Sequence, residues 1–193
     1  LHDAVVLELS AMVGDSSEQP VTHAYGGAGA DLIDGSINDD TLKGYGGNDT
    51  LLGAGGDDLM IGGSGNDVLN GEAGADTLQG GLGADWYSGG SGTDRYVFNL
   101  GDGADTIAPA DSDEVEGDEV QLGAGIVASD LQFLQLADGN LLMRIGGTQD
   151  GILFEGWFAE AGPSIATLRL NDGSLISASE ISALATNIFA GTE

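Results

Sequence analysis

Residues 26–97 read GGAGADLID GSINDDTLK GYGGNDTLL GAGGDDLMI GGSGNDVLN GEAGADTLQ GGLGADWYS GGSGTDRYV, eight consecutive copies of a nine-residue unit. The first place is glycine in every copy: Gly26, Gly35, Gly44, Gly53, Gly62, Gly71, Gly80 and Gly89. The sixth is aspartate in every copy: Asp31, Asp40, Asp49, Asp58, Asp67, Asp76, Asp85 and Asp94. The eighth is always large and apolar or aromatic: Ile33, Leu42, Leu51, Met60, Leu69, Leu78, Tyr87 and Tyr96. With 32 acidic residues in 193, eight acidic sixth places would arise by chance on the order of once in a million, so the repeat is real. A flexible glycine-rich linker has no reason to carry a phased aspartate and a phased apolar residue.

The spacing sets a geometry. The fourth place is glycine at Gly29, Gly47, Gly56, Gly65, Gly74, Gly83 and Gly92, with Asn38 in the second copy. Glycine, and less readily asparagine, accepts positive φ, so places one to six are expected to form a tight turn. Places seven to nine then form a short strand whose middle residue points inward, because side chains alternate. Two units make one coil of a parallel two-sheet roll, with odd and even units on opposite sheets. The aspartates stack along the two edges, Asp31, Asp49, Asp67 and Asp85 on one and Asp40, Asp58, Asp76 and Asp94 on the other. Strands about 4.8 Å apart bring these carboxylates into mutual repulsion. A hard cation between coils removes it. Ca²⁺ suits the place because it takes six to eight oxygens in a flexible geometry, which carboxylates and bare glycine-turn carbonyls supply, whereas Mg²⁺ demands a tighter octahedron. Three gaps on each edge imply roughly six ions, with more at the ends.

Composition narrows the function. The net charge is −28, and Lys43, Arg95, Arg144 and Arg169 are the whole basic complement. Such an excess opposes compaction and offers no basic patch to nucleic acid, anionic lipid or polyuronate. Without counter-cations the repeats are expected to stay expanded, so that calcium binding and folding become one event. About +12 from six ions offsets less than half of the −28, leaving the folded module acidic. There is no cysteine, and metal is then the usual staple for an extracellular chain of this size. No stretch has the length of a membrane span, no N-terminal secretory signal is evident and the chain does not start with Met, which suggests a piece of a longer polypeptide.

Around the repeats the organisation is expected as follows: a lead-in or cap at 1–25, the roll at 26–97, a flanking and capping region at 98–176, and a C-terminal helix at 177–193. Residues 1–13 have near-helical apolar spacing. Outward places of the roll are mostly polar, but Leu32, Leu52, Leu59, Ile61, Val68 and Trp86 are not, and Trp86 is the candidate for docking another segment. Asp102 and Asp105 continue the acidic turns out of register and are candidates for a peripheral ion. Residues 108–119 are acidic, yet an EF-hand beginning at Asp111 would need Gly at 116 and Glu at 122 where Glu116 and Leu122 stand. Asp138-Gly139-Asn140 and Asn171-Asp172-Gly173 signal hairpins. Ser177 and Glu180 have capping-box spacing ahead of a helix extending to 189, with Ile181, Leu184, Ala185 and Ile188 on one face. Phe133, Phe154, Trp157 and Phe158 are expected in the core of the flank; Trp157 and Phe158 are also the aromatic pair that a carbohydrate platform would use.

The ninefold unit resembles the GGxGxDxUx nonapeptide of the repeats-in-toxin (RTX) family, departing from it at Ser36, Tyr45, Ala54 and Glu72 in the second place and at Asn38 in the fourth. GDGADTI (101–107), DLQFLQLADGNLLMRI (130–145) and GWF (156–158) are similar to the haemolysin-type segment that follows such repeats and to the last repeat block of adenylate cyclase toxins. The resemblance implies an all-β fold, a right-handed parallel β-roll with a β-rich cap and a short C-terminal helix. It implies a flank that nucleates calcium-driven folding and an uncleaved C-terminal signal for the type I secretion machinery, placed here at 177–193. It further implies a secreted or cell-surface protein of a Gram-negative bacterium, monomeric as a module.

No catalytic constellation is visible. His2 and His23 have no zinc-helix spacing, thiol chemistry is excluded, and neither Ser64 nor Ser91 completes G-x-S-x-G. The expected function is therefore a non-enzymatic calcium-binding module whose parent, a toxin, adhesin or enzyme, carries any catalytic domain upstream. The alternative is a glycan- or surface-binding accessory module.

Overall fold

An 18-residue step separates facing strands throughout the repeats, since Leu42 pairs with Met60, Met60 with Leu78, Leu51 with Leu69 and Leu69 with Tyr87. One coil is thus two nine-residue units, as the sequence predicts. The structure is a computed structural model and describes residues 22–109, 117–159 and 163–187. The helical spacing and loop expected at 1–20, the centre of the acidic run at 110–116 with its rejected EF-hand, and Ile188 with the chain beyond it lie outside the described residues.

The strands in chain order are β1 (Thr22–Tyr25), β2 (Leu32–Asp34), β3 (Asp40–Gly46), β4 (Thr50–Leu52), β5 (Leu59–Ser64) and β6 (Val68–Ala73). They continue as β7 (Thr77–Leu82), β8 (Trp86–Ser91), β9 (Arg95–Phe98), β10 (Ala104–Ile107) and β11 (Asp118–Leu122). After a 3₁₀ turn at Ala128–Asp130 come β12 (Leu131–Gln135), β13 (Leu141–Ile145), β14 (Gly151–Phe154), β15 (Ile165–Arg169), β16 (Leu175–Ser177), α1 (Ala178–Leu184) and β17 (Thr186–Asn187). One sheet runs β1-β3-β5-β7-β9-β11-β15-β16, the other β17-β12-β13-β14-β10-β8-β6-β4-β2. Odd and even units therefore lie on opposite sheets, forming an all-β parallel solenoid.

Burial explains the alternation. Leu42, Leu51, Met60, Leu69 and Leu78 are fully buried, and Ile33, Tyr87 and Tyr96 nearly so, forming two facing columns between the sheets. β2 and β4 keep the three expected places, but β5 to β8 each run from the seventh place to the third place of the next unit. The first-place glycine is extended rather than turned in these strands. Elsewhere its N–H still joins the next coil, as in Gly26 to the Lys43 carbonyl at 2.7 Å and Gly53 to the Asn70 carbonyl at 2.8 Å.

Parallel pairing passes beyond Val97, where the ninefold register ends. Ile107 of β10 lies opposite Tyr87, and Val120 of β11 opposite Tyr96. On the other side β1 adds a rung, with Ala24 opposite Leu42. The two predicted hairpins are present, β12–β13 turning at Gly139 (φ +87°) and β15–β16 at Gly173 (φ +86°). β14 joins the hairpin to the roll, antiparallel to β13 and parallel to β10. Phe133, Phe154 and Trp157 are buried as expected and continue the roll's core, with Phe158 half-buried against it. Outside the other sheet, Glu119 accepts from Arg169 Nε at 2.9 Å and pairs with Arg95 at 3.4 Å, clamping β9, β11 and β15 together.

The helix is shorter than expected. Ser177 and Glu180 do form the reciprocal capping box, and Ile181 is its buried residue. The helix ends at Leu184, which is 58% exposed, because Thr186 leaves it to pair with Leu134 as a strand.

Candidate metal centre

Each sixth-place aspartate sits where a strand leaves the turn, and its carboxylate turns inward along the coil edge. The backbone N–H of one aspartate donates to Oδ1 of the aspartate one coil on. In one column these bonds run Asp31 to Asp49 (2.8 Å), Asp49 to Asp67 (2.8 Å) and Asp67 to Asp85 (2.8 Å). In the other they run Asp40 to Asp58 (2.7 Å), Asp58 to Asp76 (2.8 Å) and Asp76 to Asp94 (2.8 Å). All eight aspartates are 5% exposed or less. The structure brings the predicted sixth-place residues into the two predicted columns.

The second carboxylate oxygen decides the chemistry. In all eight aspartates one oxygen is buried without a hydrogen-bond partner: Oδ1 in Asp31 and Asp40, Oδ2 in the other six. In the six from Asp49 to Asp94 the first-place glycine is what admits it. A Cβ on Gly44 would collide with Asp49 Oδ2 and lie 2.7 Å from the Gly62 carbonyl oxygen, and the same pair of oxygens crowds Gly53, Gly62 and Gly71. A carboxylate oxygen and a carbonyl oxygen thus converge with no donor between them. Two acceptors facing each other in a buried space call for a cation. Among the described residues no three acidic or histidine side chains converge on one point. Any ion must therefore take most of its oxygens from backbone carbonyls, which suits the oxygen-rich, flexible shell of Ca²⁺.

Burial also sets the proton affinity. It lifts the carboxyls of Asp58 and Asp85 to about 7 and that of Asp76 to about 6, from 3.8. The N–H of the preceding aspartate opposes the rise, and neighbouring carboxylates add to it. Asp49, Asp67 and Asp94 are raised for the same first reason. Metal-free columns are thus high in energy as anions, and a cation relieves the same penalty that a proton does.

Residues 25–60 and 61–96 each match the model of the RTX calcium-binding nonapeptide repeat in four copies. The segment is a block of RTX calcium-binding repeats. No curated protein sequence matches the chain. Among solved structures, extracellular lipase LipA from Serratia marcescens is similar over 83% of this chain and 41% of the lipase, at 16% identity and a TM-score of 0.33. The AlgE6R3 subunit from the Azotobacter vinelandii mannuronan C5-epimerase is similar over 94% of this chain and 88% of that one, at 21% identity and a TM-score of 0.40. The chain spans about two fifths of the lipase's length.

The RTX turn has features that the repeat pattern did not reveal. The fifth place forms a ladder of its own: Asn48 Oδ1 accepts from Asn66 N (2.9 Å) and Asn66 Oδ1 from Ala84 N (3.0 Å). On the other edge Asp39 accepts from Asp57 N and Asp57 from Ala75 N, both at 2.8 Å. The polar, short residues at place five were the available signal. The departures at the second place also acquire a cost. Tyr45, Ala54 and Glu72 hold φ of 74°, 74° and 71°, the left-handed region that Gly63, Gly81 and Gly90 occupy freely in the same place.

Beyond the RTX block the aspartate columns continue. Asp85 N donates to Asp105 Oδ1 (3.0 Å) and Asp94 N to Asp118 Oδ1 (2.9 Å). Asp105 had been expected at the periphery, out of register; it stands in the column. Asp118 was hidden in the acidic run, although Asp105-Thr106-Ile107 and Asp118-Glu119-Val120 keep the six-to-eight spacing of the repeat. Asp102, also predicted, is buried, accepts from Asn99 N at 2.7 Å, and has Asp150 close enough to raise its carboxyl further after burial has done so. Trp157 is 2% exposed and donates through Nε1 to Ser182 Oγ at 2.9 Å, a core position as expected, and it offers no open ring face for the alternative of a carbohydrate platform. Trp86 is 37% exposed on the outer face of its sheet.

Proposed function

We propose that this chain is a non-enzymatic calcium-binding module of a secreted RTX protein. It stays expanded where free Ca²⁺ is low and folds as Ca²⁺ binds outside the cell. In this reading it supports type I secretion from a Gram-negative bacterium and stabilises a parent toxin, adhesin or enzyme. Residues 26–97 act as the calcium-binding roll, 1–25 as its lead-in, 98–176 as its cap, and 177–193 as the region of the secretion signal. The ligands are the sixth-place aspartates with turn carbonyls of the first- and fourth-place glycines, holding roughly six ions or more in a monomer.

The observation that carries this reading is the double column of buried carboxylate oxygens without a donor. Eight such groups oppose folding unless a cation sits among them, and the chain's −28 charge adds a general repulsion. Extracellular calcium modules bind at about 10⁻⁴–10⁻³ M, which leaves them empty in the cytosol and filled outside. Among the described residues no helix is long and apolar enough to cross a membrane. Size-exclusion chromatography tests the reading: the chain elutes expanded in chelator and compact in millimolar Ca²⁺. Equal elution volumes would remove the coupling of metal to folding.

A further inference from the structure

The last two eighth-place residues are tyrosines where most earlier ones are aliphatic, and both hydroxyls are used. Tyr87 Oη accepts from Gly80 N (3.0 Å) and donates to Asp105 Oδ2 (3.0 Å). Tyr96 Oη accepts from Gly89 N (3.0 Å) and donates to Asp118 Oδ2 (3.4 Å). The rings meet edge-on, 5.9 Å apart, across the core. Beside Gly44, Gly53, Gly62 and Gly71 the aspartate oxygen is faced by the carbonyl of the first-place glycine one coil on. Beside Gly80 and Gly89 the oxygen next to the aspartate's is instead the tyrosine hydroxyl, of Tyr87 and of Tyr96.

The state of the carboxylates changes at the same point. From Asp31 to Asp94 every sixth-place aspartate keeps one buried oxygen without a partner. Asp105 has both oxygens bonded to protein donors, and so has Asp118. A gap whose far carboxylate already accepts from two protein donors, one of them a tyrosine O–H placed beside the near aspartate, has fewer free oxygens to offer a hard cation than the gaps before it. We infer that Tyr87 and Tyr96 are stoppers: their hydroxyls close the two cation columns, so that ions occupy the gaps between Asp31 and Asp85 and between Asp40 and Asp94, and none occupies the Asp85–Asp105 or Asp94–Asp118 gap. The inference rests on the calcium reading and adds where the columns end. It also explains how coils beyond the regular repeats stay joined, since each hydroxyl takes up a glycine N–H that would otherwise seek the next coil.

The test is a count of bound ions by equilibrium dialysis against ⁴⁵Ca²⁺ at saturating concentration, with folding checked by circular dichroism. Asp105→Asn is expected to bind as many ions as the wild type, and Asp67→Asn at least one fewer. Tyr87→Phe is counted beside them, so that a folding failure of Asp105→Asn still leaves a decision; its count is expected not to fall. A loss of an ion in Asp105→Asn or Tyr87→Phe would overturn the stopper, because the hydroxyl or its acceptor would then be a ligand. An undiminished count in Asp67→Asn would instead remove the calcium reading itself.

Discussion

At the residue scale, the repeat is a set of steric permissions. The first-place glycine exists to admit a carboxylate, and the fourth because a neighbouring carbonyl leaves no room: a Cβ on Gly65 would overlap the Gly47 carbonyl. The second place is different, because it needs a left-handed backbone but tolerates a side chain. A non-glycine residue there costs roughly 1–2 kcal/mol. Ala54→Gly is therefore expected to stabilise the calcium-loaded fold by about 1 kcal/mol, less whatever glycine gains in unfolded-chain entropy. Thermal unfolding at fixed Ca²⁺ reads this as a raised midpoint; a lowered midpoint would mean that the alanine methyl group packs usefully and the left-handed strain is small.

At the element scale, the ninefold period was enough to place the strands on two sheets and to choose the buried residue of each. Ile33 through Tyr96 are buried in the register that the pattern sets. The strand lengths were not legible, because glycine reads as a turn residue whether it is turned or extended, and only the N–H bonds of residues such as Gly26 distinguish the two. The last rungs were not legible either. Insertions between Asp94 and Asp105 and between Asp105 and Asp118 break the frame while the aspartate–apolar spacing survives, so β10 and β11 look like flank in sequence and are coils in space. The helix start was readable from Ser177 and Glu180, whereas its end depends on a long-range strand pairing of Thr186 with Leu134 that no local signal announces. The candidate site was legible as far as its aspartates. The tyrosine hydroxyls were read as core because their position in the repeat is a core position, and their second use appears only when Asp105 and Asp118 arrive from outside the frame.

At the scale of the whole molecule, acidity and metal compete for the same columns. Asp58, Asp76, Asp85 and Asp105 have folded-state carboxyls raised to about 7, 6, 7 and 6 from 3.8. A raised carboxyl means that the folded form holds protons which the unfolded form has released, so this contribution is present below about pH 4 and is lost as pH rises through 6 to 7. Glu119, held below its ordinary value first by Arg169, acts in the opposite sense but is a single group. The metal-free chain is accordingly expected to gain β-structure when acidified in chelator from pH 7.5 to about 4.5, and to lose it on return. A chelated chain equally unstructured at both values would mean that neutralising the columns is not sufficient for folding.

The central claim is that these columns require Ca²⁺ to fold at neutral pH. A far-ultraviolet circular dichroism titration tests it most directly, with Ca²⁺ added to the chelated chain and Mg²⁺ as control. The account predicts a cooperative coil-to-β transition near millimolar Ca²⁺ and none with Mg²⁺. A β spectrum that is already complete in excess chelator would contradict it.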